Sequence, residues 1–264
     1  MPINNIFKNK TFILFVVLAV FFIANTIVAE FVGMKIFSFE KLFGFEPLNM
    51  NLFGISGLGL NLTAGSILWP IVFIMTDIIN EYFGMKAVRF LSYLAVGIVF
   101  YSFFMVYGAI GLPPNDWWML ESGINATHPD LSIGNMSIAF NKVMGQGLWI
   151  IIGSMVAFLI GQVLDVFVFH KIKKYTGEGK IWLRATGSTL FSQFIDSYMV
   201  ILIAFWIGSD WELSRVLAIG SVNYIYKFGM AILLTPVIYL GHYVIDYYLG
   251  KELSESMRTE AQLQ

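Results

Sequence analysis

The sequence predicts an all-α membrane protein, a bundle of six transmembrane helices with both termini in the cytoplasm. Hydrophobic residues make up 58% of the 264-residue chain and charged residues only 12%, whereas soluble domains carry about 25% charged residues. Several apolar runs reach the roughly 20 residues that a helix needs to cross a bilayer. The composition therefore predicts one integral membrane domain over residues 1–264.

Six apolar runs are predicted as spans, and they leave no soluble domain over. In chain order the spans cover residues 11–32, 60–83, 88–110, 147–170, 186–208 and 217–248. The first run follows Lys8 and Lys10 but lacks a convincing cleavage site, so we interpret it as a retained span and not as a signal peptide.

Basic residues are distributed unevenly between the two sides of this predicted bundle. With both termini inside, the cytoplasmic side holds Lys8, Lys10, Lys86, Arg89, Lys171, Lys173, Lys174, Lys180, Arg184, Lys251 and Arg258. The outer side holds Lys35, Lys41, Lys142 and Arg215. Cytoplasmic loops of membrane proteins carry an excess of Lys and Arg, so the distribution supports the predicted orientation. The outer segment 33–59, rich in Gly and Asn, is predicted as a short hairpin or an irregular plug.

Several function classes are excluded or disfavoured by what the sequence lacks. The chain has no cysteine and three histidines, so thiolate sites are excluded and a histidine-rich metal site is not expected. There is no GxxxxGK[ST], HExxH or GxSxG motif. The net charge of -1 gives no sign of nucleic-acid binding. We therefore expect no cofactor, no metal, no nucleic-acid partner and no enzymatic activity.

The fifth span carries an acidic residue, Asp196, near its middle. A carboxylate at mid-bilayer costs at least about 2.5 kcal/mol on insertion scales and normally faces a polar interior. Helical spacing places it on one polar or small-residue stripe with Thr189, Gln193, Ser197, Ala204 and Gly208. The stripe must face inward, so a polar small-molecule site around Gln193, Asp196 and Ser197 is predicted.

The second span adds a dense polar cluster near its cytoplasmic end. Trp69, Phe73, Asp77 and Asn80 share one helical face by their spacing, and all four are candidate binding residues. Glu81 has two interpretations: it contributes to the same site, or it pairs with basic residues at the inner surface.

The fourth span combines small residues with a second Gln-x-x-Asp pattern. Gly153, Ala157 and Gly161 recur every four residues, a spacing that allows close helix packing, either within the chain or in a homodimer. Gln162 and Asp165 repeat the spacing of the fifth span, but Asp165 is predicted to pair with lysines at the inner surface.

The sixth span supplies a basic residue within the membrane. Lys227 and Asp196 are predicted at comparable depth, and two readings stay open: a buried ion pair, or two ligand groups completed by the substrate. Asn25 in the first span and Asn223 in the sixth offer further polar contacts, while Glu30 is expected at the outer surface.

Four runs of the sequence resemble a known family in their residues and in their order along the chain. They are TDIINEYFGMKAVR (76–89), GQVLDVFVFHKIKK (161–174), GSTLFSQFIDSYMVILIAF (187–205) and NYIYKFGMAILLTPVIYL (223–240). These runs are similar to the signatures of the queuosine precursor transporter family, also called the vitamin uptake transporter or VUT family. The resemblance implies a six-helix protein of the bacterial inner membrane that imports 7-deazaguanines, 7-cyano-7-deazaguanine (preQ0) and 7-aminomethyl-7-deazaguanine (preQ1), for tRNA queuosine modification.

Residue chemistry suits that implied substrate. A deazaguanine presents an N1–H and a 2-amino group on one edge, and a carboxylate accepts both at once. Asp196 is the candidate acceptor, Gln193 offers a donor and an acceptor, and the rings of Trp69, Phe73 or Tyr224 are candidates for stacking.

Two other functions compete with a solitary carrier. A substrate-binding subunit of an energy-coupling-factor transporter has the same size, but its first span presents alanines four apart, whereas Ala19, Ala24 and Ala29 are five apart. An intramembrane enzyme is the third and least favoured interpretation. The driving force also stays open between a proton gradient and facilitated diffusion.

Overall fold

A computed structural model describes residues 8–145, 148–176 and 181–262. Its helices are α1 (Lys10–Val32), α2 (Phe39–Leu42), α3 (Trp69–Ile110), α4 (Asp116–Leu120), α5 (Met136–Met144), α6 (Leu148–Thr176), α7 (Ile181–Ile201), α8 (Leu213–Leu233), α9 (Thr235–Leu249) and α10 (Lys251–Gln262). Shorter helical turns lie at Ala64–Ile67, Pro129–Leu131 and Leu202–Ile207. Position 147, where the fourth span was predicted to begin, and Lys180 lie outside the described residues.

The protein is a mostly helical, multi-pass membrane protein, as predicted. Within the described part of the chain, five helical stretches are long and apolar enough to cross a membrane: Lys10–Val32, Ala64–Ile110, Met136–Thr176, Thr186–Ile207 and Leu213–Leu233. The stretch Ala64–Ile110 has 47 residues, about twice the length that one crossing needs.

Gly84 divides this long stretch into two parts. Its φ of 79° and ψ of 175° lie in a region essentially restricted to glycine. The part before Gly84 starts beside the C-terminal end of α1, where a Cβ on Gly65 would lie 2.3 Å from the Ala29 carbonyl oxygen. That part ends beside the beginning of α1, where the rings of Phe83 and Phe15 are 5.1 Å apart.

The part after Gly84 runs back along α1. The ring of Phe103 stacks on Phe31 at 5.6 Å, and Phe31 lies at the C-terminal end of α1. The chain therefore reverses direction at Gly84, so α3 consists of two antiparallel segments, residues 69–83 and 85–110.

The segment between α1 and α3 contains two small two-stranded sheets beside the mostly helical bundle. Strands β1 (Ile36–Ser38) and β4 (Asn61–Thr63) pair antiparallel. Strands β2 (Met50–Leu52) and β3 (Ile55–Leu58) form a hairpin. Its two-residue turn, Phe53 and Gly54, has φ values of 52° and 80°, the left-handed pair that suits a hairpin turn. Of the two predicted forms, the hairpin is confirmed. Because residues 61–63 belong to β4, the second span begins later than residue 60.

Glu40, in α2, holds the segment between α1 and α3 together. The Leu60 amide donates to its Oε1, and the Ser38 hydroxyl donates to its Oε2 at 3.0 Å. Burial opposes ionisation, but the backbone and hydroxyl donors prevail and lower the pKa of Glu40 below its usual value.

The small-residue face of α6 packs against α7 and the helical turn that follows it. A Cβ on Gly153 would lie 3.0 Å from the Val200 carbonyl oxygen, and one on Gly161 would lie 3.7 Å from the Cβ of Asp196. Ala157, between them, is fully buried. Of the two predicted uses of this face, packing within the chain is the one that the structure contains.

The last apolar run is split into two helices. The sequence predicted one span over 217–248, but α8 ends at Leu233 and α9 begins at Thr235, with Pro236 at its start. Proline lacks an amide hydrogen and clashes with the preceding turn of a continuous helix, so the predicted span contains a break at Leu234.

The C-terminal helix α10 is attached to α3 and α9 by Arg258. Its guanidinium donates to both carboxylate oxygens of Asp246, at 2.7 and 2.6 Å, and to the Tyr82 hydroxyl at 2.7 Å. Burial acts against the charge, but these oxygens outweigh it and raise the pKa of Arg258.

Candidate functional site

A cavity lies between the first part of α3 and helices α7, α8 and α9. Together with its open mouth it spans about 370 Å³. Its lining combines apolar side chains with a few polar ones: Pro70, Ile74, Asp77, Thr186, Thr189, Gln193, Lys227, Ala231, Leu234 and Ile238.

Helical spacing brings these residues to one place. On α3, Ile74 and Asp77 follow Pro70 by four and seven residues, so all three share a face. On α7, Thr189 and Gln193 share a face with Thr186 for the same reason. The polar stripe of the fifth span thus faces inward over its N-terminal half.

Asp77 is the acidic group of the cavity. Its side chain is 2% exposed, and its Oδ2 accepts a hydrogen bond from the Thr189 hydroxyl at 3.3 Å. Its Oδ1 is buried and has no hydrogen-bond donor among the residues that the structure describes. A buried carboxylate oxygen without a donor is costly, so Asp77 has spare capacity for a ligand that donates hydrogen bonds.

Gln193 and Lys227 contribute the other functional groups predicted from the sequence. The amide oxygen of Gln193 is also buried and without a hydrogen-bond partner in the described part of the chain. Lys227 lines the cavity but is salt-bridged to Asp196, and the two side chains are 12% and 17% exposed. The ion pair, one of the two interpretations left open, is therefore formed.

Asp196 lies beside the cavity and is absent from its lining. Gly161 on α6 packs beside this side chain, and Lys227 on α8 neutralises its charge. The lone central acid of the fifth span is thus placed between three helices, with its charge compensated by a lysine.

Asp165 is a buried acid whose position the sequence reasoning misjudged. It was predicted to pair with lysines at the inner surface, but it is 0% exposed and accepts a hydrogen bond from Ser192 at 3.2 Å. Lys173 pairs instead with Glu81, at 3.1 Å; Glu81 thus has a basic partner, as one interpretation held, but the pair is buried and not at the surface. The sequence signal that could have indicated its buried position is the Gln-x-x-Asp spacing that Gln162 and Asp165 share with the fifth span.

The predicted aromatic residues pack against other rings outside the cavity lining. Trp69 lies 6.4 Å from Phe73 and 5.4 Å from Phe158, measured between ring centroids. Tyr224 contacts Phe194 at 5.2 Å. These side chains support the helices around the site.

The remaining predicted binding residues lie elsewhere. The carbonyl oxygen of Asn80 is 3.0 Å from the His170 ring, and Ser197 is fully buried on α7. Asn25 donates to a carbonyl oxygen of its own helix, and Asn223 is half-buried on α8. Glu30, expected at the outer surface, is half-buried and accepts a hydrogen bond from Ser154.

The site's chemistry is that of recognition by hydrogen bonding. Across residues 8–145, 148–176 and 181–262, no group of three or more His, Cys, Asp or Glu residues is arranged to hold a metal ion. Beside Thr186, Thr189 and the paired Lys227, the cavity offers a carboxylate and an amide oxygen between apolar side chains, an arrangement that fits a flat polar molecule with donors along one edge.

Comparison with known proteins gives one family and a consistent set of relatives. Residues 63–241, more than half of the chain, match the family described as "Putative vitamin uptake transporter". A "Probable queuosine precursor transporter" of Bacillus subtilis is 26% identical over 185 residues, covering 69% of this chain and 72% of that protein. The "Queuosine precursor transporter" of Escherichia coli is 24% identical over 220 residues, 78% of this chain and 83% of that protein. No solved structure matches the chain.

Proposed function

The chain belongs to the vitamin uptake transporter family, and from that membership we propose that it is a queuosine precursor transporter of the bacterial inner membrane. Its substrates are preQ0, preQ1 or both, taken up for tRNA queuosine modification. The names of its relatives support this substrate class. A transporter needs no chemical step, so the protein acts without catalysis.

The observation that carries the proposal is the carboxylate of Asp77 at the cavity wall, whose Oδ1 meets no donor among the described residues other than the Asp165 carboxyl group. A 7-deazaguanine has an N1–H and a 2-amino group side by side, and a carboxylate accepts both. Asp77 takes the role predicted for Asp196, since Asp196 is occupied by Lys227. Gln193 lies across the same cavity and offers its amide to the rest of the ring.

The proposed arrangement in the membrane has six crossings and both termini inside. The reversal at Gly84 turns the 47-residue stretch into two crossings, which reconciles five apolar stretches with six spans. The six crossings also agree with the excess of Lys and Arg on the predicted cytoplasmic side.

The test is import into cells that depend on this protein. A bacterial strain unable to make preQ0 and lacking its own importer is given the gene, and the queuosine content of its tRNA is measured at limiting external preQ0 or preQ1. We expect queuosine to be restored by the wild-type gene. A chain that is inserted in the membrane yet leaves tRNA free of queuosine at limiting and at high precursor would contradict the proposal.

A further inference from the structure

Asp165 is a buried acid that the proposed substrate contacts leave unused. It lies on α6, and the hydroxyls of Ser188 and Ser192 on α7 donate hydrogen bonds to it. Its carboxyl group is also within hydrogen-bonding contact of the Asp77 carboxyl group. The cavity acid and this second acid therefore meet side chain to side chain inside the bundle.

A contact between two carboxyl groups requires a proton. An ionised carboxylate only accepts hydrogen bonds, so two ionised groups have nothing to donate to each other. Two negative charges in contact also repel strongly where water is excluded. Asp165 Oδ2 and Asp77 Oδ1 both lack another donor among the described residues, which leaves each of them available to share one proton.

The charged groups around the pair do not compensate a second negative charge. Glu81 on α3 acts on Asp77, and Lys227 on α8 lines the same cavity. His170 and Lys173 on α6 and Asp196 on α7 contact Asn80, Glu81 and Lys227, respectively. Lys173 is salt-bridged to Glu81, and Lys227 to Asp196. Among the side chains that the structure describes, each nearby lysine is thus already paired with another acid. A bound proton is therefore what offsets the second negative charge of the Asp77–Asp165 pair.

We propose that Asp77 and Asp165 form a proton-binding site that makes the transporter a proton–substrate symporter. This inference rests on the proposed function. When the donor edge of the substrate occupies both oxygens of Asp77, the shared proton stays on Asp165, which remains neutral. When the substrate leaves on the cytoplasmic side, its donors no longer support an ionised Asp77 beside a neutral Asp165; the contact between the two carboxyl groups then opens, the proton passes to the cytoplasm, and one proton moves inward with each substrate molecule.

The first test is the pH dependence of substrate affinity. The probe is preQ0, because its cyano group does not ionise near neutral pH. For the purified wild-type chain, linkage to one proton makes the affinity fall about tenfold per pH unit above the titration of the pair. Asp165→Asn supplies a permanently neutral partner, so its affinity should no longer fall as the pH rises. Glu30→Gln, another half-buried acid within a helix, is the control and should keep the wild-type slope.

Two results of this binding test would overturn the proposal. One is a wild-type affinity for preQ0 that does not change between about pH 5 and 9. The other is an Asp165→Asn variant that binds preQ0 with the same pH slope as the wild type. A merely structural Asp165 would lower the amount of folded protein and leave that slope unchanged.

The second test is proton movement in liposomes and needs no variant. An acid-outside gradient should drive accumulation of preQ0 by the wild type, and a trapped pH-sensitive dye should report acidification of the lumen. Exchange of preQ0 across the membrane without any proton flux would refute the symport and leave the proposed function intact. Absence of both binding and exchange of preQ0 and preQ1 would instead refute the proposed function.

Discussion

Two pairs of largely buried side chains each join neighbouring helices of this bundle through at least one acid. They differ in the partner of that acid. Asp196 pairs with a lysine, whereas Asp77 pairs with another acid, Asp165. The first pair carries no net charge and needs nothing further. The second needs a proton and leaves carboxylate oxygens without donors.

The comparison teaches that the partner of a buried acid decides its role more than its depth does. A compensated ion pair mainly holds its helices together, because breaking it leaves one uncompensated charge. An acid without a cation can change its protonation and can accept hydrogen bonds from a ligand. We therefore assign Asp196 and Lys227 to stability, and Asp77 and Asp165 to binding and coupling.

The largest expected effect comes from removing one member of the compensated pair. Lys227→Met leaves Asp196 without its cation and should lower the free energy of unfolding by about 3–5 kcal/mol. The double variant Asp196→Asn with Lys227→Met removes both charges and should recover most of that loss. Thermal unfolding of the detergent-purified variants measures both. A double variant no more stable than Lys227→Met alone would refute the compensation.

The next effect concerns the uncompensated pair. Asp77→Asn puts an NH₂ donor where the substrate also donates, and a hydrogen bond to a charged group is worth about 1.5–3 kcal/mol. Affinity for preQ0 should fall about 10- to 100-fold, with little change in thermal stability. Equilibrium binding to the purified variant checks the first expectation. An unchanged affinity would remove Asp77 from the binding site.

A smaller effect is expected at the reversal between the two segments of α3, which positions Asp77. Gly84→Ala forces a side chain into a left-handed conformation, which costs about 1–3 kcal/mol. Stability should fall by that amount, and the affinity for preQ0 of the protein that remains folded should hold. Ala95→Gly is the matched comparison. It makes the opposite exchange at a buried position in the second segment of α3, where the backbone φ is helical. Equal stability of Gly84→Ala and wild type would contradict the strained turn.

The smallest effect is expected at an acid outside the membrane, Glu40, which is satisfied by hydrogen bonds. Because its pKa is lowered in the folded protein, its stabilisation is present above the ordinary pKa of a glutamate and is lost as the pH falls through the lowered value. Glu40→Gln should cost about 1 kcal/mol near neutral pH and should abolish this acid-dependent step. Unfolding curves at neutral and acid pH test it, and an unaltered acid step would count against the assignment.

Local sequence patterns predicted the class, the helical faces and the family. The polar stripe of the fifth span faces the interior because its helical spacing leaves no other polar face. The four family-like runs led to the family that the match over residues 63–241 confirms. Three cavity residues, Asp77, Gln193 and Lys227, were among the candidates for substrate binding.

What sequence alone did not predict depends on how helices meet. Asp165 was placed at the inner surface because its span was predicted to end at residue 170, but α6 continues to Thr176, which leaves Asp165 deeper. Its contact with Asp77 joins residues from different helices, and no local pattern encodes that register. The ion pair of Asp196 could not be fixed from its own span either, since its partner Lys227 lies on α8.

The most direct test of the cavity as the substrate site uses the absence of cysteine from the chain. Ala231→Cys places one thiol on the cavity wall, and Ser209→Cys places one at an exposed position outside it. With preQ0 at about ten times its Kd, alkylation of the first thiol should slow about tenfold, and that of the second should not change. If Ala231→Cys transports preQ0 but is alkylated equally fast with and without it, substrate binds elsewhere.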